Sequence, residues 1–239
     1  DVLADTFRIQ SSHDNEEAVS HASCVVFAVK PQSMASVVQG IALPGQAHRP
    51  LFISIAAGVR EPDIRRWLGF DAAIVRTMPN TPALVGSGAT ALYANAFVST
   101  EQHSLAESVL RAVGLTLWVE NEDLLDAVTA LSGSGPAYFF LLMESMERAG
   151  IALGLSKDHA RMLAIQTGFG AAKMALESND PPATLRTRVT SPGGTTECAL
   201  DTLTAGGMEH LVHEALQAAY RRSVELGVEF GRDSNGVSE

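Results

Sequence analysis

The stretch Arg188 to Leu200, RVTSPGGTTECAL, holds the residues best suited to chemistry in this chain. Ser191 fits a helix N-cap, and Pro192 fits the first helical position, where a missing N–H costs nothing. Gly193 and Gly194 then fall in the first turn, whose N–H groups have no partner inside the helix. A glycine inside a helix is about 1 kcal/mol worse than alanine. The pattern suits the close approach of a carboxylate or phosphate to main-chain donors at the positive end of the helix dipole. Tight helix–helix packing accounts for the glycines equally well. The hydroxyls of Thr195 and Thr196 favour a polar ligand.

A second set of turns lies earlier. Three apolar runs end in Ala28-Val29-Lys30-Pro31-Gln32, Ala56-Ala57-Gly58 and Met78-Pro79-Asn80-Thr81-Pro82. In open α/β sheets, ligands sit beyond the carboxyl ends of the strands. Each turn alone reads as an ordinary strand–helix connection; the three together suit a narrow crevice for a flat ring. Ser132-Gly133-Ser134-Gly135-Pro136 reads as a kink at Pro136, which removes one helical hydrogen bond. Ser132 and Ser134 are then available to freed backbone groups or to a ligand. His210 and His213 read as a solvated helix face, since no third metal ligand is near in sequence. No metal is expected. With no Gly-x-Ser-x-Gly elbow and no Cys-x-x-Cys, catalysis must rest on positioning and a borrowed cofactor.

The elements that must place these residues follow from periodicity. CVVFAV (from Cys24), LFISI (from Leu51) and AAIVRT (from Ala72) are almost continuously apolar, as parallel strands covered on both faces are. SMASVVQGIAL between the first two has helical spacing at Met34, Val37, Val38 and Ile41. EPDIRRWLG, with Pro62 near its start and Gly69 at its end, is a short helix. Strand and helix in alternation predict an open, doubly wound sheet. ATALYA (from Ala89) and LTLWVE (from Leu115) bracket a helical EQHSLAESVLRAVG and extend the sheet. From Asn121 the strand signal stops. The chain there reads as a long helix interrupted at Gly133, Gly135 and Pro136, then a helix capped by Ser156 that turns Leu163, Gly170 and Met174 to a close-packed side, then the SPGG helix and a final long helix. The tail RDSNGVSE is expected to fray.

The 239 residues are 46% hydrophobic and 18% charged, a globular composition with room for two modest domains. A net charge of -10 argues against nucleic acid as a partner, since phosphate backbones need a basic surface. A small anion held by backbone amides stays open. Cys24 and Cys198 read as buried, reduced thiols of a cytoplasmic protein. The longest apolar run, Ala137 to Met143, is too short to span a bilayer, so no membrane association is expected.

The motifs AVKPQ, AAG, RTMPNTP, DAVTALSGSGPAY and VTSPGGTT, in this order and spacing, resemble pyrroline-5-carboxylate reductase across essentially the whole chain. The resemblance implies a Rossmann-type α/β domain over residues 1–120, incomplete at its N-terminus, and an all-α dimerisation and substrate domain over residues 121–239. It implies NADPH or NADH as cofactor, faced by Asn15, Phe27, Ala28, Val29, Lys30, Pro31, Ile55, Ala56, Ala57 and Glu122. It implies 1-pyrroline-5-carboxylate as substrate and L-proline as product, held by Val189, Ser191, Gly193, Gly194, Thr195 and Thr196. The Gly-Gly amides and Thr195 are expected to bind the substrate carboxylate, with Thr196, the catalytic candidate, on the ring nitrogen. It further implies a homodimer, with a higher ring such as a decamer as the larger alternative.

That family opens with a strand and a Gly-x-Gly-x-x-Gly-type turn. Nothing here matches it, and the chain starts about where the second helix is under way, so this chain alone is expected to bind dinucleotide weakly. Two other readings stand beside the first. One is a related two-domain oxidoreductase acting on another imine or a 3-hydroxy acid; such enzymes use a lysine on the helical half, where only Lys157 and Lys173 are available. The other is a non-catalytic helical assembly module, which has little use for the intact SPGGTT turn.

Overall fold

The computed structural model describes residues 2–41 and 49–232. Ala42 and Leu43, at the end of the first predicted helix, lie outside the described residues, as does the tail beyond Arg232. Two short helices, α1 (Val2–Phe7) and α2 (Asn15–Ser20), come first. The Asp14 carboxylate caps α2, accepting from the amides of Glu16 at 2.9 Å and Glu17 at 3.2 Å.

The predicted alternation follows: β1 (Cys24–Phe27), α3 (Met34–Gln39), β2 (Leu51–Ser54), α4 (Glu61–Leu68) and β3 (Ile74–Met78). Gly69 ends α4 in the left-handed conformation, at φ 75°. β2 and the first half of β3 are apolar because both faces are covered, whereas β1 lies at the end of the strand order and leaves Val26 45% exposed. Phe27, Phe52 and Ile74 pack with Met34 and Val38 of α3 and with Ile64 and Trp67 of α4. On the other face Leu51, Ile53 and Val75 pack with Ala106 and Leu110 of α5 (Thr100–Arg111). Residues on both faces are withdrawn from water, each large side chain contributing about 1.5–3 kcal/mol.

β4 (Gly88–Ala94) and β5 (Gly114–Trp118) extend the sheet in the order β1-β2-β3-β4-β5. The pairs β1–β2, β2–β3 and β4–β5 are parallel, but β4 runs antiparallel to β3, with Val75 opposite Ala94 and Met78 opposite Ala91. The connection over residues 79–87 holds only a 3-10 turn, Thr81–Val85. It is shorter than the dozen residues or so that a parallel crossover needs. The carboxyl ends of β4 and β5 therefore lie on the edge opposite those of β1, β2 and β3.

After the sheet come α6 (Leu124–Val128), one π turn (Thr129–Gly133) and α7 (Gly135–Ala152). The expected kink at Pro136 is not what interrupts the helix. The π turn does, and Pro136 sits in the first turn of α7, where no intrahelical partner for its nitrogen is called for. The helices α8 (Lys157–Glu177), α9 (Pro182–Arg188), α10 (Thr195–Ala205) and α11 (Met208–Phe230) complete the chain. Ser156 caps α8 as expected, accepting from the His159 amide at 3.3 Å.

By contacts the chain forms two units, one reaching Gly133 and resuming at Ala219, the other Ser134–Ala218. This differs from a boundary at 120/121 for a physical reason. Residues 121–133 are tied to the sheet unit by Arg60, whose Nη1 donates to Asp123 at 2.6 Å and Nη2 to Asp126 at 2.8 Å. The end of α11 joins the same unit through the Ser223 hydroxyl, which donates to Asp126 Oδ1 at 2.6 Å. Phe230 closes on Gly58, where a Cβ would meet the ring at 3.0 Å.

In the second unit α7 and α8 pack through small residues: Ala160 and Ala164 are buried, and a Cβ on Gly150 would stand 3.2 Å from Ala160 Cβ. The seam is not the expected one, for Leu163 and Met174 are exposed, at 56% and 59%. Small side chains let the two backbones come close, and the larger ones are left outside. Phe139, Phe140 and Leu141 of α7 are exposed as well. Among the described residues, no helix is long and apolar enough to cross a membrane. Both cysteines are free, but Cys24 is only half-buried and Cys198 is exposed.

Asp126 is buried and holds two partners, so Asp126→Ala takes from the Arg60 guanidinium one of its two carboxylates, leaving Asp123, and strands the Ser223 hydroxyl. The substitution is expected to lower the unfolding free energy by about 2 kcal/mol. Urea denaturation followed by circular dichroism measures this, and a loss below about 1 kcal/mol contradicts the role given to Asp126.

Candidate active site

Because β1, β2 and β3 are parallel, their carboxyl ends meet on one edge of the sheet. Phe27 is in register with Ser54, and its carbonyl accepts from the Ile55 amide at 3.1 Å. Phe27 to Pro31 and Ile55 to Ala57 therefore stand side by side there. Phe27 and Ala56 are buried; Val29, Pro31, Ile55 and Ala57 are half-buried; Ala28 and Lys30 are exposed. The Thr77 hydroxyl donates to the Ser54 carbonyl at 3.0 Å and locks the end of β3 to β2. Small side chains leave main chain open along this edge, and the exposed Lys30 ammonium is the cation beside it. That suits a flat, anionic group such as a dinucleotide. Asn15 begins α2 and is exposed.

The structure does not bring Glu122 to this edge. It follows β5, whose carboxyl end lies on the opposite side of the sheet. Its Oε1 accepts from the Glu61 amide at 2.6 Å and from Arg76 Nη1 at 3.0 Å. Arg76 is nearly buried, so a carboxylate there has a plain electrostatic task. Around this point lies a polar cluster that no motif announced. Asn95 Nδ2 donates to Glu61 Oε1 at 2.7 Å and to the Ala72 carbonyl at 2.8 Å. Burial, with the charges of Glu122 and Glu61, pushes the Tyr93 hydroxyl above its ordinary pKa. Burial alone lowers the pKa of Arg60, but the hydrogen bond to Asp123 and the charges of Asp126, Asp123 and Glu122 raise it on balance. The guanidinium stays charged.

The second half-site is the segment between α9 and α10. Val189, exposed, follows α9, and Ser191-Pro192-Gly193-Gly194 forms a turn closed by the Gly194 amide donating to the Ser191 carbonyl at 3.0 Å. Gly193 has φ +68°, the left-handed value that position i+2 of a type II turn requires after proline at i+1. The helix therefore starts at Thr195 with Gly194 as its N-cap, later than the Ser191 cap predicted. This changes which amides can meet an anion. The Gly193 amide is occupied by the Glu197 carboxylate at 2.6 Å, and the Gly194 amide closes the turn. The donors the helix geometry leaves unmatched are those of Thr195, Thr196 and Glu197 in the first turn of α10, with the two threonine hydroxyls exposed beside them.

His210 and His213 are exposed, and His213 Nε2 lies 2.9 Å from Gln217 Nε2. Among the described residues, no three His, Cys, Asp or Glu side chains are placed to hold a metal ion. One long-range contact joins two motifs that read as separate in the sequence: Asn80 Nδ2 donates to Ser132.

A doubly wound sheet with an open carboxyl edge, followed by an all-helical segment with a polar helix start, defines a dinucleotide-dependent oxidoreductase. Residues 1–58 match the family described as NADP oxidoreductase coenzyme F420-dependent. Residues 122–226 match the family described as pyrroline-5-carboxylate reductase dimerisation. The pyrroline-5-carboxylate reductase of Pseudomonas aeruginosa is 51% identical over 230 residues, 96% of this chain and 84% of that protein. The solved pyrroline-5-carboxylate reductase of Coxiella burnetii is 46% identical, with a TM-score of 0.90 over 94% of this chain and 83% of that one. That of Plasmodium falciparum, solved with NADP bound, is 33% identical, with a TM-score of 0.80 over 91% of this chain and 81% of that one. The chain belongs to the pyrroline-5-carboxylate reductase family.

The turn geometry is testable by itself. Gly193→Ala puts a side chain on a left-handed residue and is expected to cost about 1–2 kcal/mol. Chemical denaturation checks this; an unchanged midpoint and slope means the turn is not held as described.

Proposed function

We propose that the protein reduces 1-pyrroline-5-carboxylate to L-proline with NADPH or NADH. The observation that carries this reading is the start of α10: three main-chain donors with no acceptor inside the helix and two hydroxyls in a row, fixed by a glycine turn whose own amides are already satisfied. The relatives named above bear this activity in their names and are similar over nearly the whole chain.

The carboxyl edge supports a dinucleotide through Phe27 to Pro31 and Ile55 to Ala57, with Asn15 as a further contact. When bound, the reduced nicotinamide supplies a hydride. The Thr195 amide and hydroxyl grip the substrate carboxylate, favoured by the helix dipole by about 0.3–1 kcal/mol at an exposed end. Gly193, Gly194 and Ser191 shape the turn, and Val189 supplies an apolar surface for the ring. The Thr196 hydroxyl holds the ring nitrogen, so that with the nicotinamide bound the C=N carbon would accept the hydride while the nitrogen takes a proton from solvent water, leaving a C–N single bond.

The dimerisation segment supports a homodimer, and the exposed apolar side chains of α7 suit burial in one. A decamer-like ring is the larger assembly we propose to look for. Two free thiols fit a cytoplasmic location.

The test is substrate-dependent oxidation of NADPH, read by absorbance, with 3-hydroxy acids run in reverse as the comparison. Turnover of a 3-hydroxy acid with none of the imine refutes the proposal. Thr196→Ala is expected to lower kcat about 10–100-fold, the size of one lost hydrogen bond of 1.5–3 kcal/mol. The far-ultraviolet circular dichroism should be unchanged; wild-type kcat in that variant removes Thr196 from the mechanism.

A further inference from the structure

β3 ends at Met78, and the chain leaves it through Pro79 and Asn80. The Asn80 carboxamide is engaged at both ends. Its Oδ1 accepts from the Ala89 amide at 2.9 Å, and its Nδ2 donates to the carbonyl and the hydroxyl of Ser132, each at 3.2 Å. Ser132 lies in the π turn Thr129–Gly133. In a continuous α-helix the Ser132 carbonyl would accept from residue 136, but residue 136 is proline and has no N–H. Asn80 supplies the donor that Pro136 lacks. A half-buried carbonyl left without one costs about 1–3 kcal/mol.

A second contact joins the same two places. A Cβ on Gly133 would overlap Met78 Cε, so the Met78 methyl lies directly against the turn and would have to swing aside for any larger residue. The turn after β3 and the π turn are thus fastened by a polar and an apolar contact. Single π turns recur at functional sites because they re-aim the residues that follow. Here the fastening is at the third of the three strand ends that form the open edge.

We infer that Asn80 is a positioning residue for hydride transfer: through Ser132 it fixes the exit of β3, and so sets one wall of the dinucleotide edge. The inference rests on the function proposed above. Asn80 acts indirectly, since its carboxamide already serves Ala89 and Ser132. Misplacement of a reacting group by about 1 Å can cost about 100-fold in rate, so a wall need move little to be felt.

The test combines steady-state kinetics with an NMR readout of Met78 in protein carrying ¹³C-methyl methionine. Asn80→Ala removes all three hydrogen bonds; Asn80→Asp keeps the acceptor for Ala89 and loses the donors to Ser132; Ser132→Thr keeps the hydroxyl. Both Asn80 variants are expected to lose about tenfold or more in kcat, while KM for the imine stays within about twofold. Ser132→Thr should stay within about twofold of wild type in both. The Met78 methyl resonance should move in the Asn80 variants and hold its place in Ser132→Thr. The inference is overturned by wild-type kcat in Asn80→Ala, by a rise in KM that matches the fall in kcat, or by lost activity with an unmoved Met78 methyl. If Asn80→Ala does not fold, Asn80→Asp decides. If the wild-type protein shows no turnover of the imine, the proposed function fails, and the methyl shift still decides whether Asn80 fixes the exit of β3.

Discussion

A guanidinium drawn partly out of water has to be met by carboxylates, and Arg60 is met by two. Asp123 and Asp126 both bind it, and Asp126 also accepts from Ser223 far along the chain. Arg76, more deeply buried, is met in turn by Glu122. These charges fix the segment after β5 onto the sheet, and with it the start of α6. The π turn that follows α6 arrives at the end of β3 because its base is held in this way. A single isolated surface ion pair contributes little, and Asp123 is largely in water, but Asp126, Arg76 and Glu122 are withdrawn from solvent and hydrogen-bonded. Removal of Glu122 leaves the buried Arg76 guanidinium without its carboxylate, whereas Arg60 keeps one carboxylate when the other is lost.

Much of the sheet was legible in the residues. CVVFAV, LFISI and AAIVRT are almost continuously apolar, as strands covered on both faces are, and only β1 at the sheet's end leaves one such residue, Val26, exposed. The direction of β4 was not legible in the same way, because ATALYA reads alike in either direction. What sets it is the length of the segment before it, a signal present in the sequence but carried by spacing and not by side-chain type. The close packing of α8 was misplaced for a related reason. Periodicity marked Leu163 and Met174 as large apolar residues on a helix, whereas the seam needs small ones, and Ala160 and Ala164 provide them.

The start of α10 shows two local rules in competition. Ser-Pro at the head of a helix is a good cap and first position; Ser-Pro-Gly-Gly is also a good type II turn. The turn prevails because Gly193 can adopt a positive φ, and the helix is delayed until Thr195. The polar ligand proposed at the hydroxyls does not depend on the Ser191 cap, and the amides we propose for it are those of the first turn of α10 in place of the two glycines. The pairing of Asn80 with Ser132 was beyond the reach of local reading. Only the missing N–H of Pro136 hinted that Ser132 needed a donor from elsewhere.

The reversal of β4 also divides the labour between the two rims of the sheet. Ala96 and Phe97, just past the end of β4, are exposed on the rim remote from the exits of β1, β2 and β3. Exposed connections of this kind are where added chain is best tolerated. A fused reporter or affinity handle grafted at that corner would be carried by the protein without crowding the working rim, whereas the same graft between β3 and β4 would fall on Asn80 itself.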